Sequence, residues 1–99
     1  MRLHISQLAG FDLAEAYQWY ESVRPELGED FNLCIEAAFS AIVRTPEAFQ
    51  SLAIDNVRMY VIHRFPYIIY YAVTQQDIKV EAVLHSKRDP SVWQARIPH

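Results

Sequence analysis

Residues 57–84 read VRMYVIHRFPYIIYYAVTQQDIKVEAVL. Three short runs rich in Val, Ile and Tyr are separated by Arg64-Phe65-Pro66 and by Thr74-Gln75-Gln76-Asp77. Such runs bounded by turn residues read as strands. The connections are too short for crossover helices, so the three strands are predicted to form an antiparallel meander. Successive strand side chains point to opposite faces. In the first run Val57, Met59 and Val61 therefore share one face, and Arg58, Tyr60, Ile62 and Arg64 the other. In the third run Ile78, Val80, Ala82 and Leu84 share a face opposite Lys79, Glu81 and His85. The middle run, Tyr67 to Val73, is apolar on both faces, as a central strand should be. One sheet face is thus expected to be apolar and covered. The other should stay open and carry Arg58, Tyr60, Arg64, Lys79, Glu81 and His85.

The segments before the meander supply the cover. Met1 to Leu8 alternates and is expected to be an edge strand, with Leu3 and Ile5 toward the core. Asp12 to Val23 reads as a helix, because Leu13, Ala16, Tyr17, Tyr20 and Val23 follow helical spacing. Asp12, three residues before Glu15, is its expected N-cap. Arg24-Pro25 breaks it, since the residue before proline is driven out of the helical region. Glu29 to Arg44 is a second helix, opened by two acids at the positive end of its dipole and closed by Thr45-Pro46. Its band of Phe31, Cys34, Ile35, Ala38, Phe39, Ile42 and Val43 is wide enough to meet both the sheet and the first helix. Residues 46–56 read as a connector. The tail after His85 carries an Asp89-Pro90 turn signal, and Trp93 and Arg96 suggest a turn that docks back. The expected fold class is α+β: one domain over residues 1–99, with an N-terminal strand, an antiparallel two-helix hairpin, a three-stranded meander and the helices on one sheet face.

Composition narrows the function classes. Half the residues are hydrophobic (52%), which argues against disorder. Two glycines leave no glycine-rich phosphate cradle. The apolar run at Tyr67–Val73 is far shorter than a membrane helix requires, and no charged-then-apolar leader opens the chain. Cys34 has no partner for an internal disulfide, which fits a reducing cytoplasm. Residues 1–50 hold three basic and eight acidic side chains, and residues 51–99 hold six and four. That field is too weak for strong direct nucleic-acid binding. His4, His63, His85 and His99 have no ligand spacing, so neither a metal nor a cofactor is expected.

Several local pieces are distinctive together: Asp12-Leu13 with Ala16 and Trp19-Tyr20; Leu27-Gly28 with Phe31; Ile42 with Pro46; Arg58; Arg64-Phe65-Pro66-Tyr67 with Ile69 and Tyr71; and Val83 and His85 with Arg88-Asp89-Pro90, Trp93 and Arg96. In this wording and element order the chain resembles the RelE/ParE superfamily of type II toxins, and its ParE-like, plasmid-stabilisation branch in particular. The resemblance implies a small cytoplasmic bacterial toxin, neutralised by a cognate antitoxin, commonly in a heterotetramer. One branch cleaves mRNA in the ribosomal A site; the ParE branch poisons DNA gyrase without cutting RNA.

RNA cleavage on this fold needs a phosphate-holding cation and groups to take and give protons. Arg58 or Arg64 suits the phosphate, His85 either proton role, and Glu81 or Tyr60 the other. Each has a plainer reading: a solvated or ion-paired strand arginine, a Lys79–Glu81 pair, and a His85 that orients the following turn. An acidic hairpin and few lysines place ribosome-dependent cleavage second. The favoured reading is a protein-binding toxin whose target- or partner-binding residues are Arg58, Tyr60, Arg64, His85, Lys87, Arg88 and Arg96, with Trp19 and Tyr60 lining an antitoxin groove. A third reading is a partner-binding domain that is no longer toxic.

Overall fold

The central strand must be covered twice, and the computed structural model shows how; it describes residues 1–52, 54 and 56–97. The elements in chain order are β1 (Arg2–Ile5), α1 (Gln7–Val23), α2 (Leu27–Arg44), β2 (Gln50–Ser51), β3 (Val57–Val61), β4 (Tyr67–Val73), β5 (Asp77–His85) and α3 (Ser91–Gln94). The strands form one sheet in the order β1-β5-β4-β3-β2. β1 runs parallel to β5, and the other neighbours are antiparallel. The predicted meander is its centre. β1 is an edge, as expected, and β2 is a two-residue strand inside what read as a connector, pairing Gln50 with Met59 and Ser51 with Arg58.

On one face of β4, Ile69, Tyr71 and Val73 pack with Ala9 and Ala16 of α1 and with Phe31, Ile35, Ala38 and Ile42 of α2. On the other, Ile68 and Tyr70 pack with Trp93 and Ile97 of the tail. Tyr70 and Trp93 stack, with centroids 5.0 Å apart and rings 14° from parallel. The two long helices do share one face, but the second face is not open: α3 and the tail cover its middle. An exposed Tyr70 beside Ile68 would leave a large apolar patch in water, and tail docking removes it.

Two face assignments differ from the sequence reading. In β3 the alternation holds, but the helices lie over the Tyr60 and Ile62 side, while Val57 and Met59 face the tail. Both faces of β3 adjoin an apolar face of β4, so alternation alone does not choose between them. Val61, assigned to the core, is 43% exposed: it shares the tail side of β3 with Val57 and Met59, but the tail-side cluster does not extend to it. In β5 a bulge changes the phase. Tyr70 lies opposite Ala82 and Tyr71 opposite Val80, leaving Glu81 as the extra residue. Ile78 and Val80 therefore face the helices with Val83, while Ala82 and Leu84 face the tail. One inserted residue shifts every later side chain to the opposite face.

Helix starts also differ. α1 begins at Gln7, with Ser6 as N-cap accepting from the Ala9 N–H at 3.1 Å through its hydroxyl. Asp12 is inside the helix. α2 begins at Leu27, after Glu26 in a left-handed conformation (φ 74°). Gly28 sits where the helices nearly touch: a Cβ there lies 2.6 Å from Glu21 Cγ and 2.8 Å from the Tyr17 ring. Its N–H also donates to Glu21 Oε1 at 2.8 Å. Gly28→Ala is expected to cost about 1–3 kcal/mol in urea unfolding, despite alanine's better helix propensity.

Tyr71 ties the connector to the core. Its hydroxyl donates to the Pro46 carbonyl at 2.7 Å. Burial pushes its pKa up from 10.0 to about 12, and nearby Arg58 opposes this only in part. The raised value means the folded state holds this proton more tightly than the unfolded chain. Its contribution, about 2–3 kcal/mol, is complete below pH 10 and lost as pH rises through 12. Burial raises Tyr20 and Tyr70 in the same direction. Alkaline unfolding should therefore steepen above pH 10, and Tyr71→Phe should flatten it; an unchanged profile contradicts the assignment.

Candidate functional site

The predicted site residues occupy separate parts of the sheet. Arg58 lies on the helix side of β3, opposite Tyr71, and its Nη1 donates to the Phe49 carbonyl at 2.8 Å. Arg64 lies in the β3–β4 connection, where Nη2 pairs with Asp30 Oδ2 of α2 at 2.9 Å and the guanidinium stands 5.3 Å from the Phe65 centroid. His85 ends β5 opposite Tyr67. Its Nδ1 accepts from the Lys87 N–H at 3.1 Å, and its ring meets Tyr67 edge-on at 5.5 Å. The hydrogen bond thus orients the turn at Lys87. Tyr71 and Tyr67, the partners of Arg58 and His85, stand four residues apart on β4. At ~3.3 Å per residue and ~4.8 Å per strand, Arg58 and His85 are separated by roughly 13 Å along the sheet and 10 Å across it. The three do not converge on one phosphate.

The remaining candidates divide the same way. Tyr60 meets Phe49 edge-on at 4.8 Å and borders a 300 Å³ cleft with Gln50, Met59, Val61 and His63. Trp19, on α1, is 62% exposed and does not line that cleft. Lys79 and the buried Glu81 form the expected pair at 3.4 Å. Lys87 and Arg88 are exposed on the turn after β5. His99 lies outside the described residues, and no group of three potential metal ligands occurs among those described.

Arg96 turns inward. It grips Asp12 with both nitrogens, Nη2 to Oδ1 at 3.1 Å and Nη1 to Oδ2 closer still, and the side chains are only 15% and 12% exposed. This hydrogen bond raises the Arg96 pKa against the opposing effect of burial. Asp12 Oδ2 also accepts from the Val83 N–H at 3.0 Å. Beside this pair, Asp12, Glu15, Tyr67, Val83, Leu84, His85 and Arg88 line a narrow cleft of about 30 Å³. Burial raises the Tyr67 pKa, Tyr20 and Glu15 add to the shift, and Arg88 opposes it. The cleft joins the basic turn to the outer face of α1, which carries Leu8, Phe11, Glu15, Trp19 and Val23. The sequence reading places Leu8 at the end of the first strand, leaves Phe11 without a role and does not pair Asp12 with Arg96. Starting the helix at Asp12 hid them; Leu8, Phe11, Glu15 and Trp19 at three- and four-residue spacing were the available signal.

A helical hairpin on a short, mostly antiparallel sheet, with a basic turn at the sheet's end, is the architecture expected of RelE/ParE-type toxins. The family model for the ParE toxin of the type II toxin–antitoxin system parDE matches residues 3–90, and the chain belongs to that family. It is 29% identical over 97 residues to Toxin ParE2 from two strains of Mycobacterium tuberculosis, covering 97% of this chain and 91% of the relative. The chromosomal ParDE TA system from P. aeruginosa contains a chain of similar fold, with a TM-score of 0.75 and 20% identity over 86% of this chain and 95% of that one. No helix among the described residues is long and apolar enough to cross a membrane.

Removing one partner of a largely buried ion pair strands the other. Asp12→Ala and Arg96→Ala should each cost about 3–5 kcal/mol. The double mutant should lose less than the sum, and Arg96→Lys should restore little, because an ammonium lacks the two-pronged geometry. Additive losses would show that the pair does not act as a unit.

Proposed function

We propose that this toxin acts by binding a protein target, with DNA gyrase the target its family resemblance implies, and that a cognate antitoxin silences it within a heterotetramer. The observation that carries this reading is the dispersal of the cationic and titratable groups. Arg58 is engaged with the Phe49 carbonyl, Arg64 with Asp30, and His85 with the Lys87 N–H. Phosphodiester cleavage needs such groups assembled around one reacting centre, whereas a binding surface tolerates their separation. The basic turn with His85, Lys87 and Arg88 is the proposed target contact. Arg64 adds a cation at the same end of β4, and Arg58, Tyr60 and Arg96 serve the fold that presents the turn. The ParDE pairing of the structural neighbour supports an antitoxin partner.

With pure protein and gyrase, supercoiling should be inhibited and cleaved DNA should accumulate. Lys87→Ala with Arg88→Ala should weaken inhibition about tenfold or more. Full gyrase activity at saturating toxin, together with new mRNA 3′ ends on translating ribosomes, would establish the endonuclease reading instead.

A further inference from the structure

We propose that His85 keeps the basic turn in its target-binding shape only while its imidazole is neutral with the proton on Nε2, so that acid loosens the contact; this rests on the reading above that the turn meets the target. Residues 85–88 form a tight turn closed by two hydrogen bonds. The Arg88 N–H donates to the His85 carbonyl at 2.9 Å, the pattern of a β-turn. The Lys87 N–H donates to His85 Nδ1 at 3.1 Å. Beside them the Ser86 N–H donates to the Pro66 carbonyl at 2.7 Å, which ties the turn to the start of β4. A ring nitrogen accepts only through a bare lone pair. Nδ1 is therefore unprotonated, and the one proton of the neutral ring sits on Nε2. An imidazolium carries a hydrogen on both nitrogens, and its Nδ1–H points at the Lys87 N–H. A second proton thus replaces a hydrogen bond with two opposed donors and leaves the Lys87 amide without its acceptor.

The surroundings supply charges of both signs. His85 shares its cleft with Asp12 and Glu15 of α1, Tyr67 of β4 and Arg88 of the turn. Arg96 neutralises Asp12. Burial raises the Tyr67 pKa, so that phenol brings no charge. Arg64, at the same end of β4, is paired with Asp30. Glu15 therefore attracts a second proton to the ring, and Arg88 with Lys87 repels it. An imidazole gains its second proton as pH falls from about 8 to 5. The Lys87 hydrogen bond is present on the alkaline side of that window and lost on the acid side, and the shape of the turn follows it. Were His85 only a third cation beside Lys87 and Arg88, the sign would be the opposite: acid would add positive charge and tighten the grip on an acidic patch.

Asparagine separates the two roles. Its Oδ1 hangs from Cγ as Nδ1 does in histidine, it accepts from the N–H two residues on in an Asx-turn, and it does not titrate. Binding of the full chain to purified gyrase is measured by calorimetry from about pH 7.5 down to about 5.5 for the wild type, His85→Ala and His85→Asn. Near pH 7.5 His85→Ala should weaken binding about tenfold, and His85→Asn should recover most of that loss. As pH falls, the wild type should lose about tenfold relative to His85→Asn; the ratio cancels gyrase's own response to pH. Nitrogen-15 spectra of the free toxin read the turn without gyrase. At neutral pH the His85 ring should show a bare Nδ1 and a protonated Nε2. In acid the Lys87 amide resonance should move with the same midpoint as the ring, and it should stay still in His85→Asn. Thermal melts check that both variants are folded. A proton on Nδ1 at neutral pH, a Lys87 amide indifferent to the ring's titration, or a ratio of wild-type to His85→Asn affinity that is flat or rises in acid overturns the inference. If the wild type binds no gyrase at any pH, the protein-target reading fails and the binding half of this inference with it, while the spectra still decide whether His85 holds the turn.

Discussion

The Asp12 carboxylate holds three layers of this protein together. It sits on α1, accepts the Val83 N–H at the edge of β5, and clamps Arg96 of the tail. The need arises because β1 pairs with β5 only as far as Val80. Beyond that point β5 is a sheet edge with unpaired backbone groups, which a protein must satisfy or hide. Ser6 takes the first part, donating its N–H to the Val80 carbonyl at 3.0 Å and its hydroxyl to that of Glu81 at 3.4 Å. Asp12 takes the next. Its charge would be costly so far from water, and Arg96 neutralises it. The tail thereby gains a fixed anchor, and the anchor brings Trp93 onto Tyr70.

The same two-sided burial explains which parts of the fold were legible beforehand. The meander, the helical hairpin and the central position of β4 all follow from periodicity and short connections, and the structure contains them. What periodicity cannot supply is which face of β4 the helices take. Both faces of a doubly apolar strand look alike in sequence, and the reading placed the long helices on the wrong side of Tyr60. The bulge at Glu81 was invisible for a related reason: an alternating run continues to alternate in sequence while its side chains change face. β2 was missed because two residues carry no pattern. Glu15 completes a capping-box spacing with Asp12, which favours Asp12 as N-cap in sequence, yet the helix is capped by the Ser6 hydroxyl, which accepts from the Ala9 N–H.

The site was half legible. The basic turn, the Lys79–Glu81 pair and the structural role of the His85 hydrogen bond were all within reach of the residues. The supposed open catalytic face was not, because it depended on side assignments that β4 left undetermined. Arg96 shows the limit well. As one of the cations after the sheet it counts toward a binding patch, but in the structure its charge is spent on Asp12. The exposed cations on the turn are Lys87 and Arg88, which stand beside an acidic helical layer carrying Glu15, Glu21, Glu26, Glu29 and Glu36. A partner that approaches the turn along α1 thus passes from an acidic to a basic field, which orients it before any apolar contact forms.

The energetics of the exposed α1 stripe limit what any one partner could gain there. Fully burying a large apolar side chain contributes about 1.5–3 kcal/mol relative to full exposure. Leu8, Phe11, Trp19 and Val23 are roughly half covered already, so covering the remainder yields about 1 kcal/mol each, some 4 kcal/mol in all. Association costs about 4–15 kcal/mol in lost freedom. A helix resting on the stripe alone would therefore hardly bind. Pairing with Arg88 and Lys87 adds specificity and rate more than affinity. Tight binding at this face would require a partner that also covers a second apolar region, and the cleft between Phe49 and Val61 at the far edge of the sheet is large enough to contribute. A partner held through several separated contacts follows from the small size of each contact taken alone.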